Sequence, residues 1–318
     1  MHDWTKTTGQ TINIAFLLFD GFSNLCLANC VEPLRATNTL TGRDAFEWRF
    51  FTMTGAGVLS SSAMQIMPHG PLSSLSHCDY LFVLASYGHE SHDAGATRNA
   101  LRRLPHVACT LVGLDTAPWL MAAAGLLDGR RATLHWDILG AFSERFLTVH
   151  LEKAHVIKDG SIITCAGAMA ALDLSLGLVN DHAGIAARLD VEALFISGGT
   201  VRDPGEAPRG ITDPLVRTSI KLMRDNLEKP LTLAEISSRV SCQPRTLDRR
   251  CRAVVGMSPG RLYRHLRLSA ARKLLQESSL SMAEISVRCG YDSQAALARA
   301  VKQQFDATPT QLRKRPTI

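Results

Sequence analysis

No stretch of this chain approaches the roughly 20 uninterrupted apolar residues of a membrane-spanning helix, and no C-x-x-C pair has metal-site spacing. The start of the chain is polar as far as Gln10, without a basic opening and a long apolar run, so no secretory signal is expected. The eight cysteines are scattered and mostly sit in apolar contexts, as Cys109 does within Val107–Leu111. They read as reduced, buried thiols of a cytoplasmic protein and not as a disulfide framework. Aromatics are sparse at 6%, but a hydrophobic fraction of 46% still fits an ordinary globular protein. Membrane proteins, disulfide scaffolds and zinc modules are thereby set aside, and no metal or cofactor is expected.

What the chain does contain is a repeat. Leu233-Ala234-Glu235-Ile236-Ser237-x-Arg239 returns as Met282-Ala283-Glu284-Ile285-Ser286-x-Arg288, 49 residues later. Leu247-x-Arg249 returns as Leu297-x-Arg299 and Ser258-Pro259 as Thr308-Pro309, at an offset of 50, so the second copy has one extra residue between its helices. Charge follows the same division. Residues 211–318 hold 20 Lys and Arg against 9 Asp and Glu, a net of +11, whereas residues 1–210 hold 15 against 20, a net of −5. A small element presented twice in a basic segment points to double-stranded DNA, carried by an acidic partner domain.

At 318 residues there is room for two domains with cores of their own. In the first, Ile12–Phe19, Phe50–Thr54, Tyr80–Ser86, Val107–Leu114 and Ser161–Cys165 read as strands. Asn24–Leu40, Ala96–Leu104, Asp137–Phe146 and Ala168–Asn180 read as helices. Buried strands alternating with helices imply an α/β doubly wound, mostly parallel sheet, with its ligand crevice beyond the carboxyl ends of the strands. Asp115-Thr116-Ala117-Pro118-Trp119 follows one strand directly and opens the apolar helix Leu120–Leu127; Glu32 lies in the first helix and His135-Trp136 twenty residues past the turn. A sharp strand-to-helix turn lifts one side chain above the sheet, and helix-start N–H groups favour an anion there. Asp115 occupies that elbow.

Leu114–Pro118 together with Ala123-x-Gly125-Leu126-Leu127-Asp128-Gly129-Arg130-Arg131-Ala132-Thr133 resembles the elbow region of the PfpI/ThiJ, class I glutamine amidotransferase-like proteins. In the enzymes of that superfamily the elbow residue is a nucleophilic Cys, assisted by a Glu and sometimes a His. The resemblance puts the Cys on Asp115, the Glu on Glu32 and the His on or near His135. An aspartate supplies no thiolate, Thr116 points elsewhere, and Cys109 and Cys165 lie inside expected strands. The expectation is a non-catalytic ligand pocket of Glu32, Asp115, Thr116, Trp119, His135 and Trp136, with Trp119 and Trp136 as an aromatic cage for a cationic group. The bland readings are that Asp115 caps a helix and that His135 and the tryptophans are core. The alternative function is an amidase or hydrolase fused to a DNA-binding tail.

Residues 197–210, rich in Gly and Pro, read as an exposed linker. They divide an α/β sensing domain over 1–205 from an all-α domain over 211–318. In the latter Asp213–Leu227 is helical. Thr232-Leu233-Ala234-Glu235 and Ser281-Met282-Ala283-Glu284 are capping boxes, each opening a short helix, a turn and a second helix that starts at Pro244 or near Ser293. A long helix over Gly260–Gln276, with Leu262, Leu266, Ala270 and Leu274 on one stripe, joins two helix-turn-helix units and sets their second helices about one DNA turn, roughly 34 Å, apart.

This tail, with Arg288-Cys289-Gly290-Tyr291-Asp292-Ser293 and Thr308-Pro309, resembles the AraC/XylS transcription regulators over about 100 residues. With the first half it resembles their GlxA-type subgroup, which implies response to a small nitrogenous metabolite such as an amino acid or quaternary amine (betaine, carnitine or arginine). DNA contacts are expected from Gln243, Arg245, Thr246 and Arg249, and from Gln294, Ala295, Ala298, Arg299 and Lys302. For Arg249 and Arg299 the competing role is a phosphate or intradomain carboxylate contact. Ala296 and Ala298 stand where the family commonly has larger or polar residues, which leaves sequence choice to the first unit. Asp306 replaces the family's usual Gly. A homodimer is expected, because two units on one monomer give limited specificity.

Overall fold

The computed structural model describes residues 10–196, 211 and 213–314, so the expected linker over 197–210 lies outside the described residues. The chain divides into two compact units between Ala183 and Gly184.

In the first unit a seven-stranded sheet runs in the order Val156–Asp159, Ile162–Cys165, Ala108–Asp115, Cys78–Ala85, Ile12–Leu18, Phe46–Thr52, Gly70–Pro71. All neighbours are parallel except Val156–Asp159, which adds antiparallel to one edge. The central strands are apolar on both faces; in Ile12–Leu18 every residue but Asn13 is buried. That is the signature of a sheet covered by helices on each side. Phe46–Thr52 begins four residues earlier than its apolar run suggested, because Glu47 and Arg49 alternate with buried or partly buried positions and pair with each other at 2.9 Å on the outer face. Chain order reverses about Ile12–Leu18, so the crevice opens beyond the carboxyl ends of Ile12–Leu18 and Cys78–Ala85, where Ala85 registers against Asp115. Leu81, Val83, Leu111, Leu120 and Phe142 anchor one core beneath it.

The helix Ala168–Ile196 is broken at Gly184, whose φ of 85° and ψ of 164° no other residue adopts readily. Ile185 and Leu189, beyond the break, pack with Val216, Ile220 and Leu266 of the C-terminal unit. The contact division therefore falls at Gly184, with 39–41 joining the second unit, and not near residue 205; the helix expected over Ala168–Asn180 stopped four residues short of the break.

The second unit is all-α: Pro214–Asp225, Leu233–Arg239, Pro244–Val255, Pro259–Glu277, Met282–Arg288, Gln294–Phe305 and Pro309–Lys314. Both capping boxes form. Glu235 N–H donates to Thr232 Oγ1 at 3.2 Å and Thr232 N–H to Glu235 Oε2 at 2.7 Å, with Ser281 and Glu284 repeating the pattern at 3.2 and 2.8 Å. The joining helix serves two separate cores. Leu262, Tyr263 and Leu266 belong to the first, Leu268, Ala271 and Leu275 to the second. The expected single stripe holds at Leu262 and Leu266, but Ala270 and Leu274 are only partly buried because the helix turns a new face to the second bundle. Among the described residues no helix is long and apolar enough to cross a membrane.

Candidate functional site

The elbow forms where the sequence placed it. Asp115 ends its strand at φ +61°, a left-handed conformation costing a non-glycine residue roughly 1–2 kcal/mol, least for Asp and Asn. The helix Ala117–Ala123 folds back tightly: a Cβ on Gly113 would lie 2.6 Å from Met121 Sδ and 3.2 Å from Pro118 Cγ. Asp115 is 5% exposed. Ser86 Oγ donates to its Oδ2 at 3.0 Å, while no described donor reaches Oδ1. Burial raises the Asp115 pKa above the ordinary carboxylate range, against the Ser86 hydrogen bond and the nearby His135.

His135 is held beside it by its own N–H, which donates to the Asp115 carbonyl at 2.9 Å. The ring's Nδ1 accepts from Asp137 N–H at 3.4 Å, so a neutral ring carries its proton on Nε2. Tyr87 meets the His135 ring edge-on at 5.6 Å and Trp136 lies 5.4 Å away; both are largely exposed. These rings lie beside the elbow, and the backbone of Gly167 packs against the same His135 ring, where a Cβ would sit 3.6 Å from His135 Cδ2.

Three expected pocket residues are elsewhere. Glu32 pairs with Arg35 at 2.8 Å on a half-exposed helix face, whereas Cys26 on the same helix is buried and feels the Asp115 charge. Thr116 is buried with its hydroxyl donating to the Ser86 carbonyl at 2.8 Å. Trp119 is 4% exposed and packs on Phe142, Phe146 and His89, with the guanidinium of Arg145 5.6 Å over its ring. Helical rotation carries it away from the elbow, so the cage loses Trp119 and its cation is the protein's own. Sequence reasoning missed Ser86 and Tyr87, although the rule that ligands gather at strand carboxyl ends pointed to them.

The chemistry of hydrolysis is poorly served here. The thiol of Cys26 is pushed well above its ordinary pKa by its hydrogen bond with Cys30, then by burial, with Cys165 and Asp115 adding. Burial pushes Cys165 up to about 12. Neither supplies a thiolate near neutral pH. The N–H that would stabilise an oxyanion, that of the residue after the elbow, is donated by Thr116 to the Ala85 carbonyl at 3.3 Å, and Pro118 has none.

In the second unit, Pro244–Val255 buries Leu247, Cys251 and Val255 and turns its other face outward. Gln243, Arg245 and Arg249 are exposed and Thr246 half-buried. Arg250 pairs with Asp213 at 3.3 Å and Arg252 with Asp248 at 2.8 Å. Among the described residues no carboxylate pairs with Arg245 or Arg249, so the intradomain role considered for Arg249 is taken by its neighbours. In Gln294–Phe305, Gln294, Ala295, Arg299 and Lys302 are exposed and Ala298 half-buried, and no carboxylate pairs with Arg299 either.

A family model described as a helix-turn-helix domain matches residues 236–315. The chain is 34% identical over 303 residues to the HTH-type transcriptional regulator CdhR of Pseudomonas aeruginosa, covering 93% of this chain and 90% of that one. It is 32% identical over 311 residues to the HTH-type transcriptional regulator GlxA of Rhizobium meliloti, covering 95% of each. A solved ThiJ/PfpI family protein from Pseudomonas syringae superposes with a TM-score of 0.51 at 16% identity, over 82% of this chain and 92% of that one, a likeness of fold alone.

Proposed function

From the premise that this chain belongs to the AraC/XylS-family transcription regulators with an amidotransferase-like first domain, the GlxA type, we propose that it is a sequence-specific cytoplasmic regulator whose first unit binds a small nitrogenous metabolite without catalysing its turnover. Relatives in Pseudomonas aeruginosa carry the names GbdR and ArgR, in keeping with effectors of that kind. The observation that carries the sensing role is the buried Asp115 carboxylate, held through one oxygen by Ser86, with His135, Tyr87 and Trp136 beside the elbow. A quaternary or guanidinium cation gains Coulomb attraction there and aromatic faces beside it. Raised thiol pKa values and the spent Thr116 N–H argue against the amidase alternative.

On the DNA side, Arg245 and Arg249, which pair with no carboxylate among the described residues, lie on one exposed helix and favour base reading by the first unit, with Gln243 and Thr246 flanking them. Gln294, Ala295, Ala298, Arg299 and Lys302 are assigned the second groove, largely through phosphates. Dimerisation through the first unit would double the recognised length. The effector shifts the balance between arrangements that differ in DNA affinity. A thermal-shift screen of the full chain against amino acids and quaternary amines tests the reading: at least one stabilises the wild type, and D115A loses that shift but keeps salt-sensitive DNA binding. Turnover of an amide or ester that depends on Asp115 would refute it.

A further inference from the structure

The two helix-turn-helix units are joined by more than the Pro259–Glu277 helix. Gly290, in the turn of the second unit, lies where an added Cβ would be 2.4 Å from Pro230 Cγ and 2.6 Å from the Leu227 carbonyl oxygen. Leu227–Pro230 is the approach to the first unit. The matching turn residue of the first unit is Ser241, at φ +53°, close to the +68° of Gly290. Backbone conformation alone therefore does not demand glycine at this position; the close approach does.

Arg267, on the joining helix, completes the connection. Its guanidinium carbon lies 4.8 Å from the Tyr291 ring centre and 5.9 Å from that of Tyr263, and its Nη1 donates to the Gly290 carbonyl at 2.8 Å. Tyr263 is in turn fixed to the first unit's approach: its hydroxyl donates to the Asn226 carbonyl and accepts from Leu231 N–H at 3.2 Å. The cores of the two units share no residue. The cluster adds a direct tie to the stiffness of the joining helix, and long helices bend readily; Arg272, bound to Asp190 at 3.0 Å and 4.8 Å over the Phe305 ring, is a second tie further along that helix.

We propose that Arg267, Tyr291 and Gly290 form a lock that fixes the separation of the two recognition helices, so that the protein reads two half-elements at a single spacing. Arg267 is then a positioning residue: it acts through the turn it holds. The inference rests on the DNA-reading role proposed above.

The test uses the full chain and random-sequence duplexes. Wild-type protein selects a bipartite consensus, and duplexes with one or two base pairs inserted between its halves are then compared with the parent. The wild type should bind the inserted duplexes on the order of tenfold more weakly, or worse, as when base contacts in one half are forfeited. R267A should draw that ratio towards one, and G290A, whose Cβ forces the turn away from Pro230, should do the same. R267K keeps the charge but loses the planar stack, so it should behave like R267A; recovery of the wild-type ratio by Lys would mean a phosphate contact and overturn the lock. An unchanged ratio in folded R267A would also overturn it. Should R267A fail to fold, Tyr291→Leu removes the stacking surface and is read in the same way. A wild type that selects no duplex refutes the DNA-reading role itself, whereas one that selects but tolerates insertions refutes only the lock.

Discussion

Removing the Asp190 carboxylate is the sharpest perturbation of the second unit. It accepts from Ser269 Oγ at 2.6 Å, Arg272 Nη2 at 3.0 Å and His265 Nε2 at 3.2 Å, tying the helix segment after Gly184 to the joining helix. The Asp190 and Arg272 side chains are each 9% exposed, so D190A strands a buried guanidinium charge. Breaking a buried pair from one side costs about 3 kcal/mol or more. For a unit of this size that lowers the melting temperature by roughly 10 °C. Calorimetry of the full chain should show the loss, and D190A/R272M should recover much of it, because apolar replacement of a whole buried pair is close to neutral. Burial raises the Asp190 pKa, but bonds from His265, Arg272 and Ser269 outweigh it and the net shift is downward. The carboxylate's contribution is therefore fully present above the ordinary carboxylate pKa of about 4 and fades as pH falls through the depressed folded value. The gap between wild type and D190A should accordingly persist at neutral pH and close only in acid. A D190A protein melting within about 2 °C of wild type at pH 7 would refute the reasoning.

Four further outcomes follow from the site and the repeat. Because burial raises the Asp115 pKa, ionisation costs stability as pH rises through it; D115N should raise the melting temperature of the first unit at neutral pH. A cationic effector needs the ionised form, so its affinity by calorimetric titration should rise with pH over the same window, and pH-independent affinity would contradict the assignment. R249A should weaken binding to the selected duplex about 5- to 150-fold, from the 1–3 kcal/mol of one base-reading arginine, while R250A, already tied to Asp213, should change it little; equal effects would remove the distinction between them. Asp306 caps its helix at φ +50°, where the first repeat has Gly256 at +68°, so D306G should stabilise the second unit by about 1 kcal/mol in denaturant titration, and a loss would show that its side chain has an unseen role.

Much of the site was legible because its signals are local. The elbow at Asp115 follows from a strand ending against a Pro-bearing helix start, and the capping boxes at Thr232 and Ser281 are bonds between residues three apart. The exposed arginines follow from helical rotation around Leu247 and Leu297. Glu32 and Trp119 went astray for a common reason. Their helices were foreseen, but the face each side chain takes was not: Trp119 is drawn to Phe142 and Phe146, far along the chain, and Glu32 to Arg35 one helical turn away. Ser86 acquires meaning only through the pairing of Cys78–Ala85 with Ala108–Asp115.

Periodicity, caps, the doubled segment and the charge division determined the two fold classes and the two helix-turn-helix units, since each depends on neighbours within a few turns of the same element. The break at Gly184, the Asp190 network and the contact of Gly290 with Leu227 and Pro230 were decided by tertiary structure alone. Each joins segments tens of residues apart, and close packing between distant backbones leaves no periodic trace in the order of the residues.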